Sequence, residues 1–145
     1  VGRQRPAHQQ IRIALIDDQG IRPGVLIHDV PRRIVGVTAP ADAEALPLAE
    51  TIRGPEYREV LAKAIRRVRE FDPAFLILAL GLDAAKGDPT GTWLLTARDF
   101  QQNGQMVAEL DKPLLVVQEG GYRTRTLGVN ARRFFTGLLE GTQRK

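Results

Sequence analysis

The hydrophobic pattern of this chain changes period along its length and predicts strands and helices in turn. Continuous apolar runs predict five strands, at 11–16, 24–28, 34–38, 74–80 and 114–118. Apolar residues that recur every three or four positions predict three helices, at 55–70, from Thr96 to about Leu110, and over about 126–139. Residues 39–54 are rich in alanine, proline and acidic side chains, and we expect an irregular connection there.

The strongest of these elements is the helix at 55–70. Pro55 suits its first turn, where the missing N–H is not needed, and Pro73 ends it because the residue before a proline avoids helical angles. Strand 74–80 is apolar at every position, which is typical of a strand that is buried on both faces. The alternation of strand and helix that follows predicts an α/β fold with a mostly parallel sheet flanked by helices.

The length of 145 residues indicates one domain with a sizeable core. Residues 1–10 are polar and contain a proline, so we expect a flexible N-terminal arm there and a single α/β domain over 11–145. The chain begins with Val1 rather than methionine, which leaves two interpretations open, a processed protein or a piece of a longer one.

The composition excludes several classes of protein. There is no cysteine, hence no disulfide framework and no thiolate metal site, and there are only two histidines, His8 and His28. No apolar run approaches the roughly 18 residues of a membrane span, so we expect a soluble, cytoplasmic protein without a membrane partner. The net charge of +4 is spread over the chain ends and helices, and a solvated helix face explains it better than nucleic-acid binding.

Two candidate functional residues follow the two strongest strands. Asp83 comes just after strand 74–80, and Tyr122 comes just after strand 114–118. In open α/β sheets, ligands bind outside the carboxyl ends of the strands, and both residues are predicted to lie at that edge.

The segments around these residues resemble one family. Gly81-Leu-Asp83, continued by Gly87-Asp-Pro89, and Glu119-Gly-Gly-Tyr122 are similar to the zinc-dependent histone deacetylases and acetylpolyamine amidohydrolases, which share the arginase/deacetylase fold. The resemblance implies that Asp83 is a zinc ligand and that the Tyr122 hydroxyl polarises an amide carbonyl. It also implies that Gly120 and Gly121 line the substrate pocket. A carboxylate suits zinc, and a phenol beside the metal would stabilise developing negative charge.

The resemblance is weaker upstream and departs from the family there. Residues 11–17 are similar to the strand that leads into the family's Asp-x-His zinc motif, which makes Asp17 a second candidate ligand. Gln19 stands where that motif has histidine, and amide oxygen is a poor zinc ligand. Alternatively, the alignment slips and neither Asp17 nor Asp18 is a ligand. The family's pair of adjacent catalytic histidines has no counterpart, so we expect a truncated domain with a degenerate zinc site.

Two hypotheses about function follow from this. The first is zinc-dependent hydrolysis of an acetylated amine, incomplete or inactive in this chain taken alone. The second is a non-catalytic α/β module that acts through binding or through self-association as a homo-oligomer. A plainer interpretation stays open for each site residue, since Asp83 could close a turn, Gly120 and Gly121 could serve a tight bend, and Tyr122 could be a rim aromatic.

Overall fold

The computed structural model describes residues 10–17, 20–29 and 44–143. Residues 1–9 of the arm expected at 1–10 and the predicted strand at 34–38 lie outside these ranges, whereas Gln10 begins β1. The proposed domain boundaries stay predictions. The described elements, in chain order, are β1 (Gln10–Asp17), β2 (Gly20–Asp29), β3 (Glu44–Leu48), α1 (Gly54–Phe71), β4 (Phe75–Gly81), α2 (Ala97–Ala108), β5 (Leu114–Glu119) and α3 (Thr124–Thr142).

The strands form one sheet in the order β3-β2-β1-β4-β5. β4 and β5 are parallel, with Leu76 opposite Leu114 and Gly81 opposite Glu119, and β2 and β3 are also parallel. β1 runs antiparallel to both of its neighbours, so parallel and antiparallel pairing share the sheet. The predicted α/β class is confirmed, and the parallel β4–α2–β5–α3 unit is the part of the fold that carries the candidate site.

The prediction of an irregular connection over 39–54 is wrong at one place. β3 lies inside that range and pairs with β2, with Leu46 opposite Ile27 and Leu48 opposite Asp29. Pro47 weakened the strand signal because proline has no N–H to donate to a neighbouring strand. The topology accommodates Pro47 because β3 is an edge strand.

Helix α1 begins and ends as its sequence predicts. The Glu56 side chain accepts a hydrogen bond from the Arg53 N–H at 3.2 Å, and Pro55 lies in the first turn. The helix ends where Asp72 adopts the left-handed conformation and donates its N–H to the Val68 carbonyl. The face of α1 that packs into the core consists of Gly54, Tyr57, Leu61, Ala64, Ile65 and Val68.

The core lies between the helices and one face of the sheet. Leu76, Leu78 and Leu80 of β4 are buried there and belong to one hydrophobic cluster with Trp93 and Phe134. The expectation that β4 is buried on both faces is wrong, because Phe75, on the other face, is exposed and Ile77 and Ala79 are only partly buried. On β5 the exposed fraction of Leu115 reaches 59%. The described helices therefore cover one face of this strand pair.

Helices α2 and α3 pack closely at two glycines. A Cβ at Gly104 would collide with the Phe134 carbonyl oxygen, and a Cβ at Gly137 would collide with the Gln101 carbonyl oxygen. Gly104 weakens α2 as an isolated helix, yet it permits the backbone approach that joins the two helices. The predicted cap of α2 is confirmed, since the Thr96 hydroxyl accepts from the Asp99 N–H and Asp99 accepts from the Thr96 N–H at 2.8 Å.

No helix within the described ranges is long and apolar enough to cross a membrane.

Candidate functional site

The candidate site is built by two loops at the carboxyl edge of the β4–β5 pair. Residues 82–96 follow β4, and residues 120–123 follow β5. The Leu82 N–H donates to the Glu119 carbonyl at 3.2 Å, so the parallel pairing continues to the point where both loops begin. Because parallel strands end at the same edge, the chain delivers Asp83 and the Gly120-Gly121-Tyr122 turn to one place.

Asp83 lies directly against the turn after β5. Its side chain is buried, and a Cβ placed on Gly120 would come within 2.8 Å of the Asp83 carboxyl carbon. Gly120 has a φ of 60°, a left-handed conformation that glycine adopts without strain. The structure thus brings together Asp83 and Gly120, two residues that the sequence proposed for the site.

Gly121 fits a similarly tight position. Its φ is 90°, and a Cβ there would lie 2.6 Å from a Leu127 methyl carbon and 2.9 Å from the Leu82 Cβ. Any side chain at this position would be strained by its backbone angles and would also collide with two neighbours. Gly121 therefore lets the turn after β5 pack onto the first residue after β4.

Asp88 holds the two loops together. One carboxylate oxygen accepts hydrogen bonds from the backbone N–H groups of Tyr122 at 2.7 Å and Arg123 at 3.0 Å. The other accepts from the Thr90 N–H at 2.9 Å and the Thr90 hydroxyl at 2.8 Å. Asp88 is buried, and these four hydrogen bonds satisfy both oxygens of its carboxylate. We call this arrangement of Asp88, Thr90, Tyr122 and Arg123 the Asp88 clasp.

The hydrogen bonds of the clasp also set the charge of Asp88. Burial by itself would raise the pKa of this carboxyl group, but the donors from Thr90, Tyr122 and Arg123 stabilise the carboxylate and bring its pKa below the usual 3.8. Asp88 is therefore ionised at neutral pH and presents a full negative charge to the two N–H groups of the turn.

Arg123 reinforces the clasp from outside. Its guanidinium donates to the Lys86 carbonyl at 2.5 Å and lies over Gly87, where a Cβ would collide with it. Gly87 has a φ of 80°, so both its backbone conformation and its contact with Arg123 call for glycine. The loop after β4 is thus held to residues 122–123 at two successive places.

The Tyr122 ring itself projects to the surface. Its exposed fraction is 54%, although its backbone N–H is fixed by Asp88. A phenol in this position can donate a hydrogen bond to the carbonyl of a bound molecule at the edge of the sheet. The clasp therefore fixes the attachment point of the ring and leaves the ring accessible.

Asp17 is not part of this arrangement. β1 is antiparallel to β4 with Ile16 opposite Phe75, so Asp17 lies at the amino end of β4, whereas Asp83 follows the carboxyl end. A strand of seven residues separates the two ends, about 20 Å at 3.3 Å per residue. Two ligands of one metal ion must lie within a few ångströms of each other, so the sheet register does not bring Asp17 and Asp83 to a common site.

The described residues do not make a complete zinc site. A catalytic zinc site needs three protein ligands and an open position. Among the residues that the structure describes, no three histidine, cysteine, aspartate or glutamate side chains come together as a metal-binding group. Asp83 is one suitable carboxylate, but both oxygens of neighbouring Asp88 are already used in the clasp. In this part of the chain, the donor set does not fit the zinc that the resemblance implies.

Comparison with known proteins assigns the family. The profile of the histone deacetylase domain matches residues 38–138, well over half of the chain. The chain therefore belongs to the histone deacetylase domain family. An acetylpolyamine amidohydrolase of Burkholderia pseudomallei is 36% identical over 93 residues, which cover 64% of this chain and 27% of that protein. Histone deacetylase 15 of Arabidopsis thaliana is 37% identical over 70 residues, which cover 48% of this chain and 13% of that protein.

A solved structure shows the same relationship. The crystal structure of acetylpolyamine aminohydrolase from Burkholderia pseudomallei superposes with a TM-score of 0.66 at 33% sequence identity. The superposition covers 68% of this chain and 29% of that chain. This chain thus spans less than a third of the length of the relatives it matches, and its fold corresponds to one part of theirs.

Sequence reasoning missed the role of Asp88 and of Arg123. An aspartate between glycine and proline is by itself typical of a turn, and Asp88 does bond Thr90, two residues on, as turn-forming aspartates do. Its partners Tyr122 and Arg123 lie 34 and 35 residues away. A local pattern carries no signal for such distant partners, which only the parallel pairing of β4 and β5 makes neighbours.

Proposed function

We propose that this chain supplies one side of an amide-hydrolysing site of the deacetylase type, and that this side alone is incomplete. Asp83 would be a metal ligand, and the Tyr122 hydroxyl would stabilise the oxyanion that forms on the carbonyl of an acetylated amine. Gly120 and Gly121 would form the wall of the substrate pocket beside them. The observation that carries the proposal is the Asp88 clasp, which holds the loop of Asp83 against the turn of Tyr122.

Three features support this assignment. The chain belongs to the histone deacetylase domain family, and its relatives include acetylpolyamine amidohydrolases, whose family is zinc-dependent in general. Asp83 and the turn that precedes Tyr122 are in contact at the carboxyl edge of the sheet. The Tyr122 ring is accessible there, as an oxyanion donor must be. The cytoplasmic location stays a prediction.

The proposal also accounts for the incomplete set of metal ligands among the described residues. Zinc in such a site would polarise the amide carbonyl and activate water. Asp83 could contribute one ligand, and the remaining ligands and a general base would come from another polypeptide.

The position of the metal ligand can be tested with a paramagnetic ion. We expect Co²⁺, added to the ¹⁵N-labelled protein, to broaden the amide resonances of Leu82, Asp83 and Gly120 before others, through weak binding to one carboxylate. Asp83→Asn should remove the selective broadening, while the control Glu50→Gln, at an exposed carboxylate, should retain it. Broadening centred elsewhere, or unchanged in Asp83→Asn, would contradict the role of Asp83.

The role of Tyr122 is tested by turnover. Acetate release from an acetylated diamine, measured with added zinc, should lie at background for the isolated chain. Where a partner polypeptide restores turnover, Tyr122→Phe should lower it by more than about tenfold, because the oxyanion loses a donor. Equal turnover of the two proteins would remove Tyr122 from the mechanism, and circular dichroism would show that both are folded.

A second candidate function is a non-catalytic α/β module that acts by binding. The specific observation in its favour is the donor set, since within the described ranges no three metal-binding side chains come together and Asp83 alone is too few for a catalytic metal. The Co²⁺ experiment separates the two candidates, because a binding module has no reason to direct a metal ion to Asp83.

A further inference from the structure

The exposed side of helix α3 carries arginines without acidic neighbours along the chain. No aspartate or glutamate occurs between Glu119 and Glu140, whereas four arginines fall in this interval. Three of them, Arg125, Arg132 and Arg133, are exposed and lie within about a third of the circumference of the helix. Their spacing therefore places three guanidinium groups on one face of α3.

The arginines of helix α1, by contrast, have carboxylate partners. Arg58 pairs with Asp99 at 2.7 Å near the start of the helix, and Arg69 pairs with Glu109 at 3.4 Å near its end. A third arginine of α1 pairs with a glutamate three residues further along the same helix. An exposed basic helix in this chain is thus commonly neutralised by nearby carboxylates, and α3 is not.

No ion pair joins the three α3 arginines to a carboxylate within the described ranges. Arg133 donates to the side-chain oxygen of Gln101 at 3.1 Å, and this amide is a neutral acceptor. Arg125 lies in the first turn of α3, where the helix dipole disfavours a cation, and that turn contains no acidic residue. The positive charge of this face is therefore balanced neither along the helix nor across it.

An apolar side chain lies among these charges. The exposed fraction of Val129 is 53%, and with Arg132, Arg133 and Thr136 it lines a hollow of about 260 Å³. The helix rises by about 12 Å from Arg125 to Arg133, which equals the length of about four residues of extended chain. We call the surface formed by Arg125, Val129, Arg132, Arg133 and Thr136 the α3 arginine face.

We propose that the α3 arginine face binds a short acidic segment of another polypeptide. Carboxylates of the segment accept hydrogen bonds from the guanidinium groups, whose paired donors match the two oxygens of a carboxylate. An apolar side chain between the acidic residues contacts Val129. The segment is about four residues long, because the face spans no more than that length of extended chain.

The composition of the face favours an acidic peptide over a nucleic acid. Proteins that bind single strands present aromatic side chains on which the bases stack. The exposed aromatic residue of α3, Phe135, lines a different groove together with Leu138 and Leu139. Proteins that bind duplexes commonly contact about 6–10 phosphates, more than three guanidinium groups can reach. Carboxylates beside an apolar residue complement both the arginines and Val129.

The binding of a labelled peptide tests the proposal. The probe is a fluorescein-labelled peptide with four glutamates around one leucine, and its fluorescence anisotropy is measured with the full chain at physiological ionic strength. Arg132→Glu should weaken the binding by more than about tenfold, because it reverses a charge in the face.

The control variant is Arg66→Glu, which makes the same change of net charge at an exposed residue of another helix, α1. It should weaken the binding by less than about threefold, because charges farther apart than the Debye length are largely screened. Equal losses in the two variants would overturn the proposal, since the net charge rather than the face would then bind the peptide. A wild-type chain that does not bind the peptide would also overturn it.

Two further measurements locate the peptide and identify the class of partner. In ¹⁵N NMR spectra of the wild-type chain, the peptide should shift the amide resonances of Val129, Arg132 and Thr136 most, and shifts centred on α1 or the sheet would contradict the proposal. A labelled single-stranded RNA should bind more weakly than the peptide. RNA binding that is tighter and is lost in Arg132→Glu would show that the face takes nucleic acid instead. These tests need neither metal nor substrate, so their outcome is independent of the proposed function.

Discussion

Two edges of the same strand pair differ in how completely their polar groups are satisfied. At the carboxyl edge, four donors converge on Asp88, and Gly120 and Gly121 let the two loops pack in direct contact. Along the side edge of β5, the outward backbone groups have no strand partner among the described residues, and apolar side chains are exposed beside them. The polar groups at the carboxyl edge are satisfied within the chain, whereas those along the side edge of β5 face outward among the described residues.

The largest expected change in the free energy of unfolding distinguishes the two faces of the β4–β5 pair. Leu78 is buried against the helices, whereas Leu115 lies exposed on the other side. Leu78→Ala should lower the free energy of unfolding by about 4 kcal/mol, because it leaves a cavity in the core. Leu115→Ala should lower it by less than about 1 kcal/mol. Urea unfolding measures both, and a large loss in Leu115→Ala would mean that the outer face is covered.

The next largest effect should come from the Asp88 clasp. Asp88→Ala removes an ionised acceptor and leaves the N–H groups of Tyr122 and Arg123 unpaired at a partly buried position. We expect a loss of about 3 kcal/mol in the free energy of unfolding. We also expect faster hydrogen exchange at these two amides by NMR.

The control for this prediction is Glu59→Ala, which replaces an exposed carboxylate on α1. Its free energy of unfolding should stay within about 0.5 kcal/mol of the wild-type value. If Asp88→Ala matched this control, the two loops would be held together by contacts other than the clasp.

A smaller change in stability, of opposite sign, is expected for alanine substitutions at two glycines that follow β5. Gly121→Ala forces a positive φ on alanine and a collision with Leu127, and should cost about 2 kcal/mol. Gly128 lies in α3 with open space around it, so Gly128→Ala should stabilise the helix by up to about 1 kcal/mol. Thermal unfolding should therefore shift in opposite directions, and shifts of the same sign would mean that the turn at Gly121 is more open than described.

The smallest effect is a dependence of stability on pH. The pKa of Asp88 is lower in the folded chain than its usual 3.8, so its contribution to stability is complete above that value and is lost as the pH falls through the folded pKa. The difference in unfolding free energy between the wild-type chain and Asp88→Asn should be constant from pH 7 to pH 5 and shrink below pH 4. A difference that persisted at low pH would not arise from ionised Asp88.

Much of the fold could be predicted because its signals are local. The helix at 55–70 has a proline in its first turn and a regular apolar face, and the structure confirms it as α1. The strands at 74–80 and 114–118 are continuous apolar runs, and they place Asp83 and Tyr122 beyond their carboxyl ends, as the structure does. The catalytic and metal-binding roles of these two residues stay predictions.

What the sequence did not predict depends on distant partners. The direction of β1 is set by its neighbours β2 and β4, and antiparallel pairing moves Asp17 to the opposite edge from Asp83. The exposure of Leu115 reflects which helices cover the sheet, not the pattern of β5 itself. The four bonds of Asp88 join segments that are far apart in the chain, so its residue type indicated only a local turn.

The zinc content of the purified chain directly tests the proposal that the carboxyl edge carries one ligand of an incomplete metal site. The purified chain would be dialysed with zinc and then against metal-free buffer, and its zinc measured by elemental analysis beside Asp83→Asn. We expect both proteins to retain far less than one zinc per chain. About one zinc per chain, lost in Asp83→Asn, would contradict it and would show that other residues complete the site around Asp83.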